Sequence, residues 1–397
     1  MRAGNRARVN RDTADCELGM GTQRIMNEPH RRVMHVISGD LWAGAEVQAY
    51  TLLTQLHHDC ELHVAVMNLG RLQRQLQNAG IAVTVLDESR LNSLAILRKL
   101  RQLMREFQPH IIHTHRQKEH ILGALANLLS VRVACVRTSH GAPEFEPKGR
   151  QRLQVWADRL TGRYLQDAVI AVSADLAEQL RRYFPKQRIH VIHNGIDVSA
   201  LTRQAAEADF RLADAQSVHI GIVGRLEPVK RVDLFLEMAP IIMEQFCDRQ
   251  FCFHVIGDGR LRAQLQRQAD ELGLDDRVRF HGHRDDIPAC LRSLDLLIMC
   301  SDHEGTPMTA LESLALRTAI IAHDVGGLRE VLADYPELRV QDHSAAGYAR
   351  QVRRYLTRES SLDIVLNQRY HAAANGLATR QLYDRLLHTR LAKLGIE

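Results

Sequence analysis

The chain has 397 residues, 45% hydrophobic, 25% charged and 5% aromatic, with a formal net charge of +5. One hydrophobic core rarely serves that length, so two domains of roughly 150 to 200 residues are expected. The composition excludes a disordered, fibrous or integral membrane protein. Its Lys and Arg are scattered and form no basic tail, so no nucleic-acid partner is expected, whereas a small anion or an anionic membrane surface suits the charge.

Residues 1–32 carry Arg2, Arg6, Arg8, Arg11, Arg24, Arg31 and Arg32 without helical periodicity and read as a polar, disordered arm. From residue 33 onward, apolar runs rich in Val and Ile alternate with amphipathic stretches. The runs at 33–38, 61–67, 81–86, 110–115, 131–139, 168–173 and 189–193 suit parallel strands buried on both faces. Between them, 91–107 predicts a helix with Leu94, Leu97, Leu100, Met104 and Phe107 on one stripe opposite Arg98, Arg101 and Arg105. A polar interval at about 198–215 lacks a pattern. A second series of strands follows at 218–224, 251–257, 277–282, 295–301 and 319–324, with a helix predicted over 259–273. Alternating strands and helices imply an α/β fold of two Rossmann-like, doubly wound parallel-sheet domains, over 33–200 and 201–375. The last stretch, 376–397, reads as a helix that packs back on the first domain.

Seven cysteines form an odd set without a C-x-x-C pair, which suits a reducing compartment. No run reaches the roughly 18 apolar residues of a membrane span, and residues 1–32 lack the apolar segment of a signal peptide. The expected location is the cytoplasm, with peripheral attachment to the inner membrane left open.

Ligands of open α/β sheets bind at the carboxyl ends of strands, so the loops there carry the functional signal. In 38-SGDLWAGAE-46, Gly39 and Gly44 have Walker-like spacing, but Ala45 and Glu46 follow, which excludes a P-loop. The glycines do not form G-x-G-x-x-G either. The loop is a tight turn or a close approach to a phosphate. In 221-GIVGRLEPVKR-231, Arg225 and Lys230 follow a strand and form either a diphosphate clamp or two solvated charges. His113 and His115 share one strand face, yet with no Cys/His cluster or H-E-x-x-H they argue against zinc. His140, in 137-RTSHGAP-143, follows a buried strand and reads equally as a site residue or a loop histidine.

The stretch 302-DHEGTPMTALESLAL-316 predicts a helix over 307–316 with Thr306 as N-cap and Pro307 at its first position. The backbone N–H groups of Gly305, Thr306 and Met308 then offer an anion site. Glu312 lies roughly 7–9 Å along the helix, and Glu304 on the other side of the anion. Such a layout matches a nucleotide sugar, whose diphosphate is flanked by hydroxyl-bearing groups that carboxylates bind well. In isolation the two glutamates also read as a helix-dipole charge and a solvated helix residue.

Together, GRLEPVKR, VIGDGRL, RVRFHGHRDDI and HEGTPMTALE resemble the retaining GT-B glycosyltransferases of family GT4 (glycosyl transferases group 1). The first half resembles them through GDLWAGAEVQ, IIHTH, RTSHG, VIAVSADLAEQL and VIHNGID. The likeness runs over about 33–335. It implies two facing Rossmann-like domains with a C-terminal helix crossing back, and a UDP- or GDP-linked hexose in the cleft. Arg225 and Lys230 would clamp the diphosphate, Glu312 hold the ribose hydroxyls and Glu304 those of the transferred sugar. His140 would stand by the reacting sugar, Gly44 line the diphosphate, His283 meet the nucleobase, and Asn194 and Gly195 form the interdomain turn. Two departures stand out: Ala43 before Gly44, where the family has Gly-Gly, and Thr306 after Glu-Gly, where an aromatic or aliphatic residue is common.

The implied reaction is metal-independent and without cofactor. The acceptor hydroxyl, on a glycan or lipid-linked glycan, attacks from the face the nucleotide leaves, and a donor phosphate oxygen takes its proton. The rivals are an epimerase-like GT-B enzyme with a different carboxylate set and a catalytically silent nucleotide-sugar binder.

Overall fold

A computed structural model describes residues 31–39, 42–141, 149–208, 210, 212 and 216–393. The polar arm therefore lies outside the described residues, except Arg31 and Arg32. These two belong to the first strand: Arg31 pairs with Asp384 at 2.5 Å, and Arg32 Nε donates to the Gln108 carbonyl at 2.8 Å.

The first sheet holds β1 (Arg31–Ile37), β2 (Cys60–Val66), β3 (Ala82–Val85), β4 (Ile111–Thr114), β5 (Ala134–Ser139), β6 (Ala168–Ala171) and β7 (Ile189–Val191). Its helices are α1 (Gly44–Leu56), α2 (Arg71–Asn78), α3 (Ser93–Phe107), α4 (Gln117–Leu128), α5 (Arg150–Leu165) and α6 (Ala174–Leu180). After α7 (Val198–Glu207) the second sheet holds β8 (Val218–Val223), β9 (Phe251–Ile256), β10 (Val278–Gly282), β11 (Leu296–Met299), β12 (Ala319–His323) and β13 (Arg339–Val340). It is flanked by α8 (Val232–Gln245), α9 (Arg262–Glu271), α10 (Ile287–Arg292), α11 (Met308–Ala315), α12 (Gly326–Val331) and α13 (Ala345–Leu356). The chain closes with α14 (Ala372–Lys393).

Strand order is β3-β2-β1-β4-β5-β6-β7 in one sheet and β10-β9-β8-β11-β12-β13 in the other. Every pairing is parallel. Each order reverses direction beside its first strand, and there the carboxyl ends of neighbouring strands splay into a crevice. Both sheets are covered by helices, as the continuous apolar strands require.

The chain crosses between domains twice, and the crossings pair. Ile196 N donates to the Tyr370 carbonyl at 2.8 Å, and Ala372 N to the Ile196 carbonyl at 2.9 Å. Beyond the second crossing α14 returns to the first domain, where Leu382 and Tyr383 join the core around Val33, Ile111 and Val136.

Several boundaries differ from expectation. The interval at 198–215 contains α7, capped by Asp197 and burying Leu201 and Ala205 against the second domain. It is too short and polar to show a period. The final helix starts at Ala372, ahead of the expected 376, because the crossing itself enters it. In α3 the buried line is Ile96, Leu100 and Met104, while Leu94 is 53% exposed at the first turn, beyond the edge of the core. Strand β5 starts at Ala134 because Arg132 takes a left-handed φ of 53° and Asn127 binds Val133 on both its amide and carbonyl.

Candidate active site

The carboxyl ends of β8 and β11 meet at a recess lined by Gly224, Arg225, Lys230, Met299, Cys300 and Ser301. Glycine is required at Gly224 and Gly257. Their φ values are 155° and 137°, and a Cβ on Gly257 would lie 1.9 Å from the Gly224 carbonyl oxygen. This close approach turns β8 sharply into Arg225, which is exposed, while buried Leu226 anchors the loop. A short 3-10 turn at Pro228–Lys230 then brings Lys230 back across Gly224. Its ammonium donates to Glu304 Oε1 at 2.5 Å, and Ser301 Oγ donates to the same oxygen at 2.7 Å. Thus Lys230 and Glu304, both singled out in the sequence, form one hydrogen-bonded unit; Ser301, at the strand end, carries no motif that would mark it.

The segment after β11 differs from expectation at its cap. Pro307 itself is the N-cap of α11, with φ −71° and ψ 125°, and the helix starts at Met308. Thr306 is buried, and its hydroxyl donates across the domain boundary to the Val172 carbonyl, which outcompetes the local cap. Its carbonyl accepts from Asn194 Nδ2 at 2.9 Å, so Thr306 fastens the two domains. Asn194 and Gly195 do lie at the first crossing. The Gly195 amide donates to Gln48 at 2.9 Å, on α1.

Gly305 makes the closest approach between the walls. A Cβ there would stand 2.3 Å from the His140 carbonyl oxygen and 3.2 Å from Val172 Cγ2. Gly44, the first residue of α1, faces Met308: a Cβ added there would lie 3.4 Å from Met308 Cγ. The structure therefore brings Gly44, His140, Gly305, Thr306 and Met308 to one seam, with Lys230 and Glu304 beside it. Glu312 lies on α11, recessed but not sealed from solvent. Its carboxylate has no hydrogen-bond or ion partner among the described residues, and burial lifts its pKa to about 7. His283 does not join the seam: it is 67% exposed, 3.9 Å from Asp285. Asp285 also pairs with Arg71 of the first domain, so His283 lies at the outer edge where the domains touch.

Behind His140 runs a buried imidazole chain that sequence reading only half saw. His35 on β1 is the register partner of His113 on β4. His35 Nδ1 bonds His115 Nε2 at 3.0 Å, and His115 Nδ1 bonds His140 Nε2 at 3.4 Å. Tyr383 on α14 bonds His113 Nδ1 at 2.5 Å and His35 Nε2 at 3.4 Å. At the end of the chain His140 Nδ1 is buried without a hydrogen-bond partner among the described residues. Burial holds His140 at about 4 and His35 at about 3, so both are neutral at pH 7. The nitrogens of His35, His113 and His115 come within 4.8 Å of one another. Their nitrogens are already engaged in hydrogen bonds: His35 and His115 bond each other, and His113 bonds Tyr383 and Thr138.

Comparison with known proteins agrees with this geometry. Residues 42–200 match the model of Glycosyltransferase Family 4, and residues 204–374 that of Glycosyl transferases group 1. The two matches together span most of the chain and make it an enzyme of the glycosyltransferase class, and its fold is that of GT-B glycosyltransferases. It is similar to the UDP-Gal:alpha-D-GlcNAc-diphosphoundecaprenol alpha-1,3-galactosyltransferase of Escherichia coli, 28% identical over 60% of this chain and 64% of the relative. It is also similar to the putative glycosyltransferase EpsF of Bacillus subtilis, 26% identical over 75% of this chain and 80% of the relative. Among solved structures, HepE of Anabaena in complex with UDP superposes with a TM-score of 0.69 at 19% identity, covering 92% of this chain and 99% of that one.

Proposed function

We propose that the enzyme moves a hexose from a nucleoside-diphosphate sugar to a glycan or lipid-linked glycan acceptor, with retention of configuration and without a metal. The observation that carries the proposal is the Ser301–Glu304–Lys230 unit, set where β8 and β11 end and facing His140 across the seam. Lys230, Arg225 and the amide end of α11 supply positive charge where a diphosphate leaving group gains negative charge. Lys230 bridges Glu304 and that phosphate, so the sugar hydroxyls on Glu304 and the leaving group are held on one rigid unit. Glu312, further along α11, takes the ribose hydroxyls.

Neutral His140 offers its unpartnered Nδ1 to hydrogen-bond the sugar or the incoming hydroxyl. Among the described residues no side chain is assigned a nucleophile's role. The acceptor oxygen forms its bond to the anomeric carbon as the bond to the phosphate oxygen breaks, on the same face. The acceptor proton passes to that phosphate oxygen. A relative named for UDP-galactose and a neighbour solved with UDP support uridine over guanosine. The relative's diphosphoundecaprenol acceptor supports a lipid-linked one.

Thermal-shift screening with UDP-, GDP- and ADP-sugars tests the donor. A UDP-sugar at a hundredfold its Kd should stabilise the protein by about 2.7 kcal/mol. No stabilisation by any nucleotide or nucleotide sugar would refute the reading.

A further inference from the structure

The strongest unexplained feature of the surface is α5. Leu153, Trp156, Leu160 and Tyr164 are 67%, 60%, 41% and 67% exposed, the largest cluster of bare apolar side chains on one described helix. Their spacing of three and four residues, at about 100° per residue, places all four within one arc of roughly 80°. Apolar stripes of this kind on a soluble chain mark an interaction site.

The charges around the stripe identify its partner. Arg152, Arg159 and Arg163 are exposed and fall side by side along one flank, next to Trp156. Arg159 lies flat on Tyr183, 3.9 Å from the ring centre, and Arg163 is 6.0 Å from the Tyr164 ring. Asp158, the one carboxylate of α5, points to the opposite side, where both its oxygens bind buried Arg137 at 3.0 Å. Among the described residues of α5, the outward arc therefore combines Trp, Tyr, Leu and Arg with no acid.

We propose that this face of α5 is a docking surface for an anionic phospholipid bilayer. Trp and Tyr sit at the headgroup level with their polar edges in water, and leucines enter the acyl boundary. Arginines meet lipid phosphates bidentately and draw the protein to a negative leaflet. A protein partner would be expected to bring acids, and a second copy would set arginine against arginine. The helix starts at Arg150, just beyond the loop that carries His140 from the end of β5. Docking thus brings the acceptor side of the cleft to the lipid surface. The inference goes beyond the proposed reaction and stands independently of the donor.

The test uses the full chain with Trp42→Phe, so that Trp156 is the only tryptophan, and vesicles of phosphatidylcholine with or without about 30% phosphatidylglycerol. Phosphatidylglycerol vesicles should co-sediment the protein and shift Trp156 emission to the blue, and raising the salt from 0.05 to about 0.5 M should weaken binding severalfold. Leu153→Ser with Trp156→Ala should weaken co-sedimentation at least tenfold while leaving the melting temperature and UDP binding unchanged. Retained UDP binding keeps a failure of this surface distinct from a failure of the donor reading. The proposal is overturned by an unshifted Trp156, by co-sedimentation that survives the double variant, or by self-association that the double variant abolishes.

Discussion

Replacing Glu304 by Gln tests the division of labour at the seam. Gln keeps the size and one hydrogen-bonding oxygen for Ser301, which stands 2.7 Å from Glu304 Oε1, but removes the charge that holds the Lys230 ammonium at 2.5 Å. A hydrogen bond to a charged group contributes about 1.5–3 kcal/mol more than its absence. If that energy is expressed mainly where the sugar gains positive character, kcat falls by about ten- to 150-fold. Lys230 is meanwhile released from its partner and remains free to bind phosphate, so UDP affinity should stay level or tighten a few-fold. Product release measured with saturating UDP-sugar gives kcat, and calorimetric titration with UDP gives Kd. A kcat within threefold of the parent, or a Kd that weakens in step with kcat, would refute the assignment of Glu304 to the reacting sugar.

Gly305→Ala would place a Cβ 2.3 Å from the His140 carbonyl, so the walls must part by about 1 Å. Misplacement on that scale costs about a hundredfold in turnover, measurable in the same kinetic assay with the fold monitored by circular dichroism. Glu312 binds its proton more tightly folded than unfolded, because burial lifts its pKa from 4.5 to about 7. Its contribution is therefore fully present below pH 4.5 and lost as pH rises through 7, by about 3 kcal/mol at most. Glu312→Gln should accordingly melt increasingly above the parent as pH goes from 5 to 8. Tyr383→Phe strips the hydroxyl from His113 and His35 and leaves buried imidazole nitrogens unpaired. Differential scanning calorimetry should show a loss of about 1–3 kcal/mol.

By itself the sequence determined the layers and the chemistry of the loops. Most strands are continuous apolar runs, and all but the two-residue β13 were legible, the half-exposed edge strands β3 and β7 included. Gly224, Arg225, Lys230 and Glu304 stand after strand ends and Glu312 within α11; local pattern left the charged ones open to a reading as ordinary surface charges, and the family resemblance singled them out. Interactions between residues distant in the chain were decided only by tertiary structure. The Thr306 hydroxyl had a local cap available, yet it binds Val172 because packing the domains buries it against that carbonyl. Tyr383 sits 270 residues from His113, and no spacing in the sequence predicts that α14 lays its hydroxyl on the histidine chain. His283 stands apart from the seam for the same cause: its position after β10 is local, but what it faces depends on how the two domains close, and there Asp285 and Arg71 occupy the edge. Periodicity is a property of one element and its neighbours along the chain, whereas the seam is made by two sheets whose meeting is set by shape, by glycines that permit contact, and by hydrogen bonds across it.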